Sequence, residues 1–142
     1  MQTPEKPTLR FINVDLDVES ADELRPLIDA MDPHAYSLER PPGQASFEVN
    51  EPSPNDPEDV ILDFIRIVKS LPPAARKVWD AASKRVFDIG LQSGRDPFRQ
   101  SYSIGIETLR QATDIGAHIA ITIYAVELPE YDAAVGTPQR QG

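Results

Sequence analysis

The chain has 142 residues, which is enough for one domain that buries its core without disulfides or a structural metal. Its net charge of −9, from 14 basic and 23 acidic residues, disfavours contact with a phosphate backbone, so we expect no nucleic-acid partner. The absence of cysteine excludes disulfides, thiolate-bound zinc and thiol catalysis.

The first residues, MQTPEKPTLR, are mostly polar, and residues 1–8 are predicted to be a leader outside the folded domain. They contain no apolar run followed by a cleavage site. No later stretch approaches the roughly 20 apolar residues of a membrane span. We therefore expect a soluble, cytoplasmic protein that binds no membrane.

Residues 9–18 alternate between apolar and polar side chains, which predicts a half-buried strand. The predicted inner face holds Ile12, Val14, Leu16 and Val18, and the outer face holds Asn13, Asp15 and Asp17. Ser20 and Glu23 have the spacing of a capping box that opens a helix, although Pro26 limits regular helix to a start at about Glu23. Its apolar stripe comprises Leu24, Leu27, Ile28 and Met31.

Two short strands, at residues 36–40 and 45–50, are predicted to form a hairpin around Pro41-Pro42-Gly43. Asp56 followed by Pro57 then predicts the start of a helix. Its apolar face comprises Val60, Ile61, Phe64, Ile65 and Val68. A second helix follows Pro72-Pro73, with Trp79 on its core stripe and Asp80 paired with Lys84 outside.

The segment RVFDIGLQS alternates again and predicts a strand with Asp88 and Gln92 on its outer face. Ser103 is expected to cap a helix whose apolar stripe is Ile106, Leu109 and Ala112 and which ends at Gly116. The last strand, AHIAITIYAVE, has Ile119, Ile121 and Ile123 on one face and His118, Ala120, Thr122 and Tyr124 on the other. Residues 128–142 are predicted to be a disordered tail, which leaves 9–127 as the domain.

The predicted order is β-α-β-β-α-α-β-α-β. It indicates an α+β fold with a single mixed or antiparallel sheet of about five strands and helices packed on one face. The other face of the sheet is then available to solvent or to a partner.

This layout resembles a family of small uncharacterised bacterial α+β proteins, a domain-of-unknown-function type sometimes linked to immunity against polymorphic toxins. The matching segments are FINVDLDV, SFEV, RVFDIGLQSG and LRQATDIGAHIAITIY, within residues 9–127. The resemblance implies this fold and a binding role, and it implies no catalytic residues.

Polar residues gather on the outer face if the first, fourth and last strands are neighbours. These partner-binding candidates are Asn13, Asp15, Asp17, Asp88, Gln92, His118, Thr122 and Tyr124. Neighbouring carboxylates with a histidine are also compatible with a divalent metal or acid/base chemistry, but alternating polar residues are ordinary on an exposed sheet face. No catalytic, metal or cofactor residue is therefore assigned.

The loop GLQSGRDPFRQ lacks the Lys-Ser/Thr that a phosphate-binding P-loop needs after its second glycine. We interpret Gly94 as the turn after the strand and the rest as a connection. Arg95 and Arg99 remain candidates for binding a carboxylate or phosphate near the N-terminus of the next helix.

The leading functional hypothesis is a protein-binding module that binds a basic protein through its acidic sheet face, conceivably an immunity-type inhibitor of a basic toxin. A second hypothesis is a small-ligand or metal-dependent enzyme that uses Asp15, Asp88 and His118. A third is a structural or regulatory subunit that forms a homo-oligomer through an exposed strand edge.

Overall fold

The computed structural model describes residues 7–126, which form five strands and four helices. In chain order they are β1 (Arg10–Glu19), α1 (Arg25–Met31), β2 (Ala35–Leu38), β3 (Gln44–Val49), α2 (Pro57–Lys69), α3 (Pro73–Ala81), β4 (Lys84–Gln92), α4 (Ile106–Asp114) and β5 (His118–Tyr124). Most of the predicted leader, and all of the predicted tail at 128–142, lie outside the described residues. None of the described helices is long and apolar enough to cross a membrane.

The five strands form one mixed sheet in the order β2-β3-β1-β4-β5. Neighbouring strands are antiparallel except β4 and β5, which are parallel and are joined through α4. The predicted α+β class, element order and single sheet are confirmed. The first, fourth and last strands are neighbours, as the predicted outer face requires.

The helices cover the inner face of the sheet and enclose the core. Burial of apolar side chains from both layers supplies the main favourable term for folding. The largest fully buried side chains are Trp79, Phe47, Phe64, Phe87, Leu16, Leu27, Met31, Ile61, Ile65, Val14, Val18 and Val60. Trp79 is in the core, as predicted, and its indole N–H donates to the carbonyl of Ile115 at 2.8 Å.

A β-bulge in β1 corrects the prediction that Ile12 faces inward. The register with β4 shifts between Phe11 and Asn13, so Phe11 points into the core and Ile12 is exposed. An extra residue in one strand breaks the strict alternation of faces. From Val14 onward the predicted alternation holds.

The predicted capping box at the start of α1 is also wrong. Ser20 Oγ accepts the N–H of Asp22, and a Glu23 carboxylate oxygen accepts the N–H of Arg25, so both side chains close local turns ahead of the helix. The helix begins only at Arg25, and Pro26 then lies in its first turn, where a missing N–H has no helical acceptor to lose.

Three predictions about the later helices are corrected. The predicted pair of Asp80 with Lys84 does not form, because Asp80 pairs with Arg76 one turn earlier and Lys84 lies on β4 beside Glu19. The N-cap of α4 is Gly105 and not Ser103. The packed face of α4 is formed by Thr108 and Ala112, while Ile106 and Leu109 are exposed.

Candidate functional site

The outer face of the sheet brings together carboxylates from three central strands. Asp15 of β1 lies directly opposite Asp88 of β4. On its other side Asp15 contacts Glu48 of β3 through a hydrogen bond between the two carboxyl groups. Glu48, Asp15 and Asp88 therefore form a line across the strands, which we call the acidic row. With Asp17, two residues further along β1, they form the acidic face.

Hydroxyl groups surround the acidic face and donate hydrogen bonds to three of its four carboxylates, Glu48, Asp17 and Asp88. Tyr36 of β2 donates to Glu48, Ser46 of β3 donates to Asp17 at 2.7 Å, and Thr122 of β5 donates to Asp88 at 2.8 Å. Neutral donors of this kind leave the negative charge in place. Within residues 7–126, no ion pair involves Asp15, Asp17, Glu48 or Asp88. The guanidinium of Arg40 lies beside this face, where it donates to the Ser46 hydroxyl at 3.0 Å.

Burial raises the pKa of Asp15 to about 7, assisted by the charge of Glu48, the hydrogen bond to Glu48, and the charges of Asp17 and Asp88. Each of these disfavours a further negative charge at the middle of the row. Tyr36 also has a raised pKa, chiefly because its hydroxyl donates to Glu48. At neutral pH Asp15 is therefore protonated in some molecules and charged in others. A bound cation would favour the charged form.

The other predicted face residues lie around this centre. Gln92 is at the far end of β4, where its amide donates to the carbonyl of Thr8 at 2.9 Å and accepts from Arg10. Tyr124 lies opposite Gln92 on β5, and its ring passes over Gly90. Asn13 lies opposite Gly90 on the other side, and its buried Oδ1 accepts no hydrogen bond from any described residue.

The enzyme hypothesis needs His118 close to Asp15 and Asp88. His118 lies opposite Val86, two residues along the strands from the level of Asp88, and no hydrogen bond or ion pair joins it to Asp15 or Asp88 within residues 7–126. In the same part of the chain, no group of three or more His, Asp or Glu side chains is placed to hold a metal ion.

The loop after β4 is hydrogen-bonded to residues 7–9, at the start of the described chain. The N–H groups of Arg95 and Asp96 both donate to the carbonyl of Pro7, and Leu9 donates to the carbonyl of Asp96. The Arg95 and Arg99 side chains are exposed. The N-terminus of α4 holds a carboxylate of the chain itself: Glu58 of α2 accepts from the Gly105 N–H at 2.6 Å and the Thr108 hydroxyl at 2.8 Å.

Replacing Glu58 by glutamine is expected to lower the free energy of unfolding at neutral pH by less than about 1 kcal/mol, since the group is solvent-exposed. The hydrogen bonds from Gly105 and Thr108 lower the pKa of Glu58, so this contribution is present above the ordinary glutamate pKa and disappears as pH falls through the lowered value. Thermal unfolding at neutral and strongly acid pH measures it. Asp59→Asn is the control, because Asp59 lies in the same first turn of α2. An equal effect of the two changes would contradict the inter-helix cap.

Sequence reasoning missed Glu48, Tyr36 and Ser46. The alternation in β3 puts Ser46 and Glu48 on one face, but only the pairing of β3 with β1 brings that face beside Asp15. Comparison with models of protein families, with curated proteins and with solved structures found no match to this chain.

Proposed function

We propose that this chain is a protein-binding module whose acidic face binds a cationic segment of a partner protein. The observation that carries the proposal is the acidic row, in which three carboxylates lie side by side and form no ion pair among the described residues. Like charges directly opposite each other in a sheet are destabilising. A lysine or arginine from a partner would offset this repulsion.

The position of the acidic face also supports the proposal that it binds a partner protein. The helices cover the opposite side of the sheet, so the acidic face is open and rigidly held by central strands. Tyr36 and Tyr124, exposed on the same face, offer aromatic surface of the kind that supplies affinity in protein interfaces. Clustered charge would steer a cationic partner and speed its association. Immunity-type inhibition of a basic toxin is the specific form of this activity that we favour.

The test uses an oligoarginine peptide as the cationic probe, titrated against the full chain at low ionic strength. We expect the double change Asp15→Asn with Asp88→Asn to weaken binding at least about tenfold. The control is Asp22→Asn with Asp32→Asn, which removes the same charge from exposed positions beside α1 that form no ion pair among the described residues. Fluorescence anisotropy gives both affinities.

The control variant distinguishes binding at the acidic face from attraction by the net charge of the chain. If both double changes weaken binding equally, the peptide responds only to the overall charge of −9 and the proposal is wrong. Binding should also weaken with added salt, since the contacts are electrostatic. Arg95→Ala with Arg99→Ala should leave binding intact or slightly stronger, because it removes charge of the same sign as the peptide. Loss of binding in that variant would assign the function to the loop.

A further inference from the structure

The last strand, β5, is an edge strand with an exposed apolar side. It pairs with β4 alone within residues 7–126, and the helix layer does not extend over it, because α4 packs mainly against α2. As a result Ile121 and Ile123 are 62 % and 65 % exposed although they point to the core side of the sheet. Ile106 and Leu109 of α4 are exposed as well. Burial in a larger assembly would remove this apolar surface from water.

Within residues 7–126, one row of hydrogen-bonding groups on the backbone of β5 has no partner. The carbonyl of Tyr124 accepts from Ser93 at 2.9 Å, so it faces the β4 side. In a strand the N–H and C=O of one residue point to the same side, and successive residues alternate. The N–H and C=O groups of Ile119, Ile121 and Ile123 therefore point away from β4. We call these three residues and their free backbone groups the β5 edge.

The two edge strands of the sheet, β2 and β5, differ in how well they are protected against pairing with another chain. β2 is only four residues long, with Pro33 shortly before it and Pro41-Pro42 shortly after it, and these features discourage pairing with another chain. β5 is seven residues long and contains no proline, lysine or acidic residue. A long, uncharged edge with alternating isoleucines is a template for a further strand.

We propose that the β5 edge pairs with the β5 edge of a second copy of this chain, antiparallel across a two-fold axis centred on Ile121. This register joins the free N–H and C=O groups of both strands. It sets Ile119 opposite Ile123 of the second copy on the core side, and Ala120 opposite Thr122 of the second copy on the outer side. The resulting assembly is a continuous ten-stranded sheet that displays two acidic faces on one side.

The charge of the chain and its exposed apolar surface both favour a second copy as the partner of the β5 edge. The chain has a net charge of −9, so most approaches of two copies are repulsive, but the pairs formed across the β5 edge contain no acidic residue. The exposed apolar side chains of Ile121 and Ile123 on β5, with Ile106 and Leu109 on α4, offer surface of the kind that the core of an interface buries.

Sedimentation velocity of the full chain at tens of micromolar tests the proposal. We expect a dimer that Ile121→Lys with Ile123→Lys weakens at least about tenfold, because two lysines beside each other at the edge prevent pairing. The control, Phe98→Lys with Gln100→Lys, adds the same charge at exposed positions of the loop after β4, and Phe98 is 94 % exposed. A monomeric parent chain, or a dimer that the edge variant leaves intact, would overturn the proposal.

A cross-linking experiment keeps the test independent of the lysine variant's folding. The chain has no cysteine, so Ile121→Cys places a single thiol on the proposed two-fold axis. Directly opposite residues of this kind have Cα atoms about 5.5 Å apart, within the range that a disulfide spans. Mild oxidation should give a covalent dimer of Ile121→Cys and not of Phe98→Cys. Equal cross-linking of the two, or none at Ile121→Cys, would show that the copies do not pair in this way.

Discussion

Replacing Asp15 by asparagine is expected to raise the free energy of unfolding by about 1–2 kcal/mol near pH 8 and to leave it nearly unchanged near pH 4. Burial and the neighbouring carboxylates raise the pKa of Asp15 to about 7, from an ordinary value of 3.8. The magnitude allows for solvent screening, because the side chain is only half-buried. The asparagine amide can still donate to Glu48, as the protonated acid does, but it carries no charge.

The sign of the pH dependence follows from proton uptake. Between the ordinary pKa and about 7, the folded chain holds a proton on Asp15 that the unfolded chain has released. Its free energy of unfolding therefore falls as pH rises through this range and becomes constant above it. Urea unfolding of both proteins across this range gives the difference directly, and the difference between the parent and Asp22→Asn, an exposed change that keeps Asp15, should not vary with pH in this way. A constant difference between the parent and Asp15→Asn would contradict the proposed electrostatics.

The same electrostatics connect stability with binding. A cationic partner binds the charged form of Asp15, so its affinity should increase as pH rises toward 8, while the free chain becomes less stable over the same range. Repulsion between the carboxylates of the acidic row lowers the stability of the folded chain. Such repulsion is typical of residues that serve function at the expense of stability.

Replacing Gly94 by alanine is expected to lower the free energy of unfolding by about 2 kcal/mol. A Cβ at this position would lie 2.4 Å from the backbone of both Thr8 and Leu9 and 2.7 Å from the carbonyl oxygen of Pro7. All three are backbone atoms, so no side-chain rotation relieves the contact. The segment 7–9 would have to move away, and its hydrogen bonds to Arg95 and Asp96 would break.

Gly90→Ala is the matched control, because a Cβ there meets only ordinary contacts of 3.4 Å or more, to Asn13 and Tyr124. We expect it to be neutral or slightly stabilising, since glycine weakens the interior of a strand. Urea unfolding of both variants provides the comparison. Equal stability of the two variants would show that segment 7–9 is not held against the loop.

Local periodicity predicted most of the elements, because each buried face repeats within a few residues. Asp56 and Pro57 begin α2, and Trp79 lies in the core, since both depend on spacing along one helix. The bulge at Ile12 could not be predicted. Apolar and polar residues alternate in the sequence from Ile12 onward as they do in a regular strand, so the sequence does not mark the extra residue. The exposure of Leu109 depends on where α4 sits, which is fixed by contacts with α2 and the carboxylate of Glu58.

The candidate site was predicted in part. The carboxylates of β1 and β4 were assigned to one face from alternation and from the assumption that the two strands are neighbours, and the structure places Asp15 directly opposite Asp88. Glu48 completes the acidic row from a strand that is distant in sequence, and its contact with Asp15 depends on strand order. Pairing between distant strands is set by the whole fold and leaves no local pattern.

The central position of β1 has a consequence for synthesis of the chain. Its neighbour β4 begins 65 residues after β1 ends, as the bounds Arg10–Glu19 and Lys84–Gln92 show, so at 5–20 residues per second β1 waits roughly 3–13 s for that partner. During this interval one edge of an apolar strand is open to other nascent chains. Asp15 and Asp17 interrupt its apolar residues with charge, as gatekeeper residues do. Asp15 and Asp17 would thus also oppose aggregation of the growing polypeptide before the sheet is complete.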